Sequence, residues 1–210
     1  MQSPPYPQDT RIRILEAAEG VFAEDGFAAA GMKAISRRAE VAQGLLHYHF
    51  TNKDGLYAAV IERRAEAINS ERLTRLAQVD LGASDALERI LEALLRPPLG
   101  PAGGGRAYAR IFSGLLVGTE REAALVARLY DPTARTFIAA LHEACPEAAP
   151  RAISWGYHMA ISALAGTLAR DDRPERLIGG SPVRAETDAI VARLVTFTSG
   201  GLRAAIAAEK

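Results

Sequence analysis

The chain has 210 residues, of which 49% are apolar, with 25 Lys+Arg balancing 25 Asp+Glu. That length is enough for one or two domains with a real core. The balance excludes wholesale disorder and collagen-like repeats, and a single cysteine, Cys145, excludes a disulfide scaffold. A net charge of zero also counts against a polyanionic partner unless the basic residues are clustered locally, because such binding rests on Lys and Arg neutralising phosphates.

Alanine occurs 41 times and is the best helix former, whereas sparse Val, Thr and aromatic residues leave little from which to build strands. The chain therefore reads as all-α, with about nine helices. Residues 1–8 carry Pro4, Pro5 and Pro7 without the basic and apolar regions of a secretory signal, and read as a disordered arm. A first helix is predicted over residues 10–25, with Asp9 or Thr10 as N-cap, Ile14, Leu15, Ala18 and Phe22 on its apolar face, and Gly26 ending it. Short helices follow over residues 32–39 and 43–48, and Asn52 caps a long one over residues 53–77. Ser84 is the expected cap of a helix over residues 85–95. Residues 96–106, rich in Pro and Gly, read as a mobile loop. Helices are then expected over residues 107–117, 121–144 with a kink at Pro132, 150–170, and 183–208 after Gly179-Gly-Ser-Pro182. Residues 152–169 carry no formal charge and reach the lower length limit of a membrane span, but polar Ser154, His158 and Ser162 make a buried or interface helix the expectation, in a cytoplasmic protein.

Residues 26–53 form two short helices joined by a tight turn, which is the grammar of a helix-turn-helix. Ile35, Ala39, Val41, Leu46 and Phe50 would face inward, leaving Gln43, Gly44, Leu45, His47 and Tyr48 to a partner. Amides can read base edges in a major groove, and hydroxyls and imidazoles can reach phosphates. Four basic residues (Lys33, Arg37, Arg38 and Lys53) face one acid, Glu40, within this window, and two of the three lysines of the chain fall there. Lys53 also sits at a helix N-terminus, where the dipole favours an anion.

Over residues 10–57 these features resemble the DNA-binding domain of the tetracycline-repressor (TetR) family of bacterial transcriptional regulators. The resemblance rests on Ile14-Leu15, Ala17-Ala18, Phe22 and Gly26-Phe27 of the first helix, and on Ile35 and Ala39 of the second. It rests further on the signature residues Gly44, Leu46, Tyr48, His49, Phe50, Asn52, Lys53 and Leu56. It implies a helix-turn-helix domain over residues 9–57, with Gln43, Leu45 and Tyr48 at bases or nearby sugars, Lys33, His47, His49 and Lys53 towards phosphates, and Gly44 also within the DNA-binding set. His49 could equally pack beside Phe50, and Leu45 could belong partly to the core. Three departures stand out: His47 replaces a usual Tyr, Glu40 replaces the turn Gly, and Gly31 and Ala42 replace Ser/Thr caps. A left-handed Glu40 would cost about 1 kcal/mol, and a missing cap about 0.5–2 kcal/mol.

The resemblance further implies that residues 58–210 bind an effector and form a homodimer through the last two long helices, where Ala160, Ala163, Gly166, Ala189 and Ala192 would permit close approach. Two-fold symmetry would place two recognition helices roughly 34–36 Å apart, or a multiple, on a pseudo-palindromic operator of double-stranded DNA. Phe112, Leu116, Tyr130, Phe137, Trp155, His158 and Met159 are the candidate effector residues, with His158 as polar anchor. Residues 85–180, especially Trp155-Gly-Tyr-His-Met159, resemble the fatty-acid-responsive PsrA-like branch, which points to a fatty acid or acyl thioester. The expected function is a repressor released by a small lipophilic effector. The alternatives are an architectural DNA-binding protein without effector, or a helical enzyme or carrier with a vestigial DNA-binding domain. No cofactor is expected: Gly103-Gly-Gly105 lacks a phosphate-loop context, no serine sits in a nucleophile elbow, and His142, Cys145 and His158 make no complete metal set.

Overall fold

The computed structural model describes residues 7–169, 173–180 and 186–209, with side chains from Thr10 onward. It contains eleven α-helices and two 3-10 turns, with no strand among the described residues. They are α1 (Pro7–Ala29), α2 (Met32–Arg38), α3 (Gln43–His49), α4 (Lys53–Leu76), α5 (Ala86–Leu95), α6 (Gly105–Leu115), α7 (Glu120–Leu129), α8 (Asp131–Ala144), α9 (Pro150–Ala169), α10 (Arg173–Leu177) and α11 (Thr187–Ala208). Two compact units divide between Ala65 and Glu66, inside α4. Most of the expected N-terminal arm, the Asp9 side chain, and the turn and helix start expected over residues 181–185 lie outside the described residues.

In the first unit, α2 packs on α1 and on α3. Ile14, Leu15, Ala18 and Phe22 are buried with Ile35, Ala39, Leu46, Phe50, Leu56 and Ile61. Phe22, Phe27 and Tyr57 form an aromatic cluster with ring centroids 5.0–6.1 Å apart. The first helix starts at Pro7, where a missing N–H costs nothing because the first turn has no acceptor for it. Gly26 breaks it at φ +72°, after which one more turn runs to Ala29. Glu19 is buried and receives both Nε and Nη2 of Arg64, at 2.7 and 2.9 Å.

In the second unit, α5 shows the helical period clearly. Leu87, Ile90, Leu91, Leu94 and Leu95 are all buried, at i, i+3, i+4, i+7 and i+8. α5 packs on α8 and α11, α11 on α9, and α9 on α6 and α8. Asp85, not Ser84, is the residue before α5. Residues 96–106 are more ordered than expected, holding 3-10 turns at Pro97–Leu99 and Pro101–Gly103, whose prolines sit at N1/N2 where no donor is needed. A Cβ on Gly103 would lie 1.9 Å from the Pro98 carbonyl oxygen, so only glycine fits there. The single kinked helix expected over residues 121–144 is two helices, α7 and α8, because Pro132 cannot donate to the preceding turn and its ring crowds it. α10 was absent from the expected set. By length and composition alone α11 could cross a membrane, but it packs on α5 and α9 and carries Asp188, Arg193 and Arg203.

Candidate DNA-reading surface and effector cavity

α3 is seven residues long, too short to persist alone. Its fully buried Leu46, with Phe50 just beyond, anchors it to the first unit. That anchoring turns Gln43, Gly44, Leu45, His47 and Tyr48 outward, and Tyr48 is 82% exposed. His49 is half-buried between the rings of Tyr48 and Phe50. Nothing lies within 4 Å of where a Gly44 Cβ would stand, so no neighbour in the fold requires that glycine.

The turn before α3 is a Schellman motif. Glu40 N–H donates to the Arg37 carbonyl (3.2 Å) and Val41 N–H to the Ser36 carbonyl (3.0 Å), which places Glu40 at φ +54°. Arg13 reinforces it by donating to the carbonyls of Ala39 (2.7 Å) and Glu40 (3.2 Å). Neither Gly31 before α2 nor Ala42 before α3 supplies a side-chain cap, whereas Asn52 Oδ1 accepts from Gly55 N–H at 2.8 Å.

The basic residues of the region divide into two groups. Lys53 Nζ donates to the carbonyls of Phe27 (2.8 Å), Ala28 (3.2 Å) and Ala30 (3.0 Å) and lies 4.5 Å from the Phe27 ring centroid. All three ammonium hydrogens therefore have acceptors at the end of α1. Arg38 pairs with Glu24 at 2.8 Å. Lys33 and Arg37 are exposed and make no ion pair among the described residues. Arg37, on the exposed side of α2, was not among the sequence candidates.

The second unit holds a cavity of about 140 Å³ lined by Arg72 of α4, Phe112, Leu115 and Leu116 around α6, Val126 and Tyr130 of α7 and its end, Asp131 and Ala134 of α8, and Tyr157, His158 and Ile161 of α9. Phe112, Leu116, Tyr130 and His158 are brought together here. Phe137 is fully buried elsewhere, and Trp155 and Met159 are exposed; none of the three lines this cavity. The difference is one of helix phase: Tyr157 and Ile161 turn to the inward side of α9, Trp155 and Met159, four residues apart, share the outward side, and His158 stands between them with its ring edge-on to Trp155 at 5.7 Å. His158 is itself exposed and sits at the rim.

Arg72 is the residue the sequence did not flag. It is 1% exposed, donates from Nε to the Leu94 carbonyl (2.9 Å) and from Nη1 to Asn69 Oδ1 (3.4 Å), and leaves Nη2 without a partner. Burial lowers its pKa, opposed by the nearby Tyr157, Tyr130 and Tyr108 hydroxyls. Burial likewise pushes Tyr130 up to about 12, opposed by its hydrogen bond with Tyr108, where the two oxygens are 2.6 Å apart, and by the charge on Arg72. Among the described residues no three His, Cys, Asp or Glu side chains gather in a metal-binding cluster.

The outward faces of α9 and α11 carry large exposed apolar residues among polar ones such as His158, Ser162 and Arg193. Trp155, Met159 and Gly166 on one, and Phe197, Gly200, Gly201 and Ala204 on the other, are exposed. Between these helices a Cβ on Gly156 would stand 2.4 Å from Leu202 Cδ1, so the pair approaches closely at that glycine.

Residues 14–60 match the family described as bacterial regulatory proteins, tetR family, and residues 88–201 match the Tetracyclin repressor-like, C-terminal domain. The HTH-type transcriptional regulator UidR of Escherichia coli (strain K12) is 46% identical over 54 residues, 26% of this chain and 28% of UidR. The HTH-type transcriptional activator FasR of Mycolicibacterium smegmatis is 42% identical over 65 residues, 30% of each chain. The matched segments thus span less than a third of either relative. The solved fatty acid degradation regulator FadR of Bacillus halodurans superposes over 97% of this chain and 99% of its own, with a TM-score of 0.72 at 17% identity, a likeness of fold.

Proposed function

Because the chain belongs to the tetR family of bacterial regulatory proteins, we propose that it is a homodimeric transcriptional repressor that binds a pseudo-palindromic operator and is released by a small lipophilic effector. The observation that carries the DNA-binding part is the outward face of α3, where Gln43, Gly44, Leu45, His47 and Tyr48 stand exposed on a helix fixed from behind by Leu46. A helical glycine costs about 1 kcal/mol relative to alanine, and with no neighbour requiring Gly44, its use is close approach of a DNA backbone. Gln43, Leu45 and Tyr48 would meet bases and sugars, while Lys33, Arg37, His47 and His49 would meet phosphates; Lys53 would position them by holding the end of α1.

The cavity supports an effector of the acid or acyl class, and the large exposed apolar residues on the outward faces of α9 and α11 support a second copy of the chain. An effector releases DNA only by binding the two states of the dimer unequally. α4 contributes to both compact units and is the element through which such a difference would pass. A protein of this kind works in the cytoplasm, where the operator is.

The test is to select fragments of bacterial genomic DNA with the purified full-length protein and to footprint those retained. The expected result is a pseudo-palindrome bound with salt-dependent affinity, and binding at least tenfold weaker for Tyr48→Ala with its helix content unchanged. Absence of salt-dependent DNA binding would overturn the proposal.

A further inference from the structure

The reading of the cavity as the effector site leaves open what enters it, and three observations converge on one chemistry. The first is charge. A guanidinium stays protonated in a protein, and Arg72 is 1% exposed without an ion-pair partner among the described residues. A buried charge of this kind is costly unless an opposite charge meets it. Asp131 does not supply that charge: it is half-exposed and lies 3.8 Å from Arg135 on its own helix.

The second is valence. Nε donates to Leu94 and Nη1 to Asn69, which leaves one Nη1 hydrogen and both hydrogens of the buried Nη2 without an acceptor along a single edge. One residual donor edge and one positive charge match a monoanion. A phosphate dianion would carry a second charge that Arg72 does not balance, and a neutral thioester carbonyl would leave the charge of Arg72 unbalanced. The Tyr108 and Tyr130 hydroxyls are in contact, so if Tyr108 donates to Tyr130, the Tyr130 proton is available to a second oxygen in the cavity it lines. The third is size. The cavity is about 140 Å³, close to the roughly 150 Å³ of an engineered cavity that holds benzene.

We infer that the effector is a small monocarboxylic acid with its carboxylate on Arg72 and a body of about six carbon atoms against Phe112, Leu115, Tyr130 and Ile161. This rests on the proposed effector role of the cavity, and it narrows the acid-or-thioester class to free acids of short reach. The cavity opens to solvent beside His158 and Leu116, so a longer chain would run out into water with little added burial.

The test is calorimetric titration of the full-length protein with hexanoate and benzoate, each against its neutral counterpart, 1-hexanol and benzyl alcohol, and with palmitate for length. One of the two short acids is expected to bind about 10- to 100-fold more tightly than its alcohol, the range of a charge-assisted hydrogen bond, and more tightly than palmitate. Arg72→Gln is expected to abolish the preference of acid over alcohol, and Arg72→Lys to restore part of it. The acid–alcohol comparison in the wild type stands even if a variant fails to fold. Equal binding of acid and alcohol, no binding of either acid, tighter binding of palmitate, or undiminished acid preference in a folded Arg72→Gln would overturn the inference. Operator binding measured on the same preparation separates the two readings: DNA binding without acid binding sinks only the ligand assignment, whereas acid binding without DNA binding sinks only the regulator.

Discussion

Lys53 and Lys33 are equivalent in composition and opposite in surroundings. The three carbonyls that Lys53 ties down belong to the end of α1, where the chain turns towards α2. Lys33 and Arg37 face solvent without an ion pair among the described residues. Lys53→Met is therefore expected to lower stability by about 1.5–3 kcal/mol, the worth of hydrogen bonds to a charged donor, read as a lower urea midpoint. Lys33→Ala and Arg37→Ala should each leave the midpoint within about 0.5 kcal/mol while reducing the slope of log affinity against log salt by about two in a dimer, one phosphate per copy. A Lys53→Met protein of wild-type stability would contradict this division. Glu40 makes the complementary case. Its φ of +54° is a glycine conformation enforced by the Schellman bonds on either side, so Glu40→Gly should raise stability by about 1 kcal/mol through relief of backbone strain. A midpoint unchanged or lowered by Glu40→Gly would mean that its side chain compensates the strain.

Elements were legible where a cap or a break is written in one residue, and less so where tertiary packing decides. Asn52 and Gly26 each mark a boundary through local backbone chemistry, whereas Pro132, expected to kink one helix, sits where two helices divide. α10 has only five residues and no buried side chain, which leaves no periodicity to detect. Arg72 is more instructive, because its signal was present in α4. Ile61, Ala65 and Ile68 are buried at i, i+4 and i+7, and Arg72 occupies i+11 of the same stripe. An alternating-charge reading of α4 hides this: the neighbouring charges are solvated, and only the phase of the stripe separates Arg72 from them. α7 shows how an element end carries pH dependence. Burial would raise the Glu122 carboxyl, but hydrogen bonds from the Thr119 hydroxyl, Arg121 and the Thr119 N–H outweigh it and hold the pKa at about 2, from an ordinary 4.5. Stability linked to this group is complete above about pH 4.5 and is lost as pH falls through about 2. Glu122→Gln is expected to destabilise the protein at pH 7 and progressively less between pH 4.5 and 2, where thermal melts of the two proteins should converge; a constant gap over that interval would remove Glu122 as the cause.

At the scale of the whole molecule, zero net charge is compatible with the proposed DNA-reading surface, because several arginines of the first unit are engaged by the fold's own acceptors. Arg13, Arg38 and Arg64 are occupied by carbonyls or carboxylates within the first unit, so few cations are left to attract phosphate. On the proposed function, one copy presenting a seven-residue α3 has little with which to bind tightly, and a second copy would supply the missing affinity. The faces of α9 and α11 fit that need. Phe197 is 74% exposed, with the small residues Gly200, Gly201 and Ala204 on its C-terminal side and the exposed Arg193 one turn before it, which leaves room for the same ring of a two-fold mate to pack. A stable interface of this kind buries about 800 Å² on each partner, and a carboxylate at its centre would lose hydration that the exposed Arg193 one turn earlier offsets only in part. Phe197→Glu is therefore expected to sediment as a monomer at concentrations where the wild type is a dimer, with similar helix content. Because the two half-sites are then bound independently, operator affinity should fall by at least about 100-fold, in line with the 10²–10⁴ gained by linking two sites. Trp155→Ala, which deletes apolar area on α9 without adding charge, should weaken the dimer less. The two measurements must move together: a Phe197→Glu protein that stays dimeric refutes the interface, whereas a monomer that keeps full operator affinity refutes the claim that pairing supplies what the sparse charge cannot.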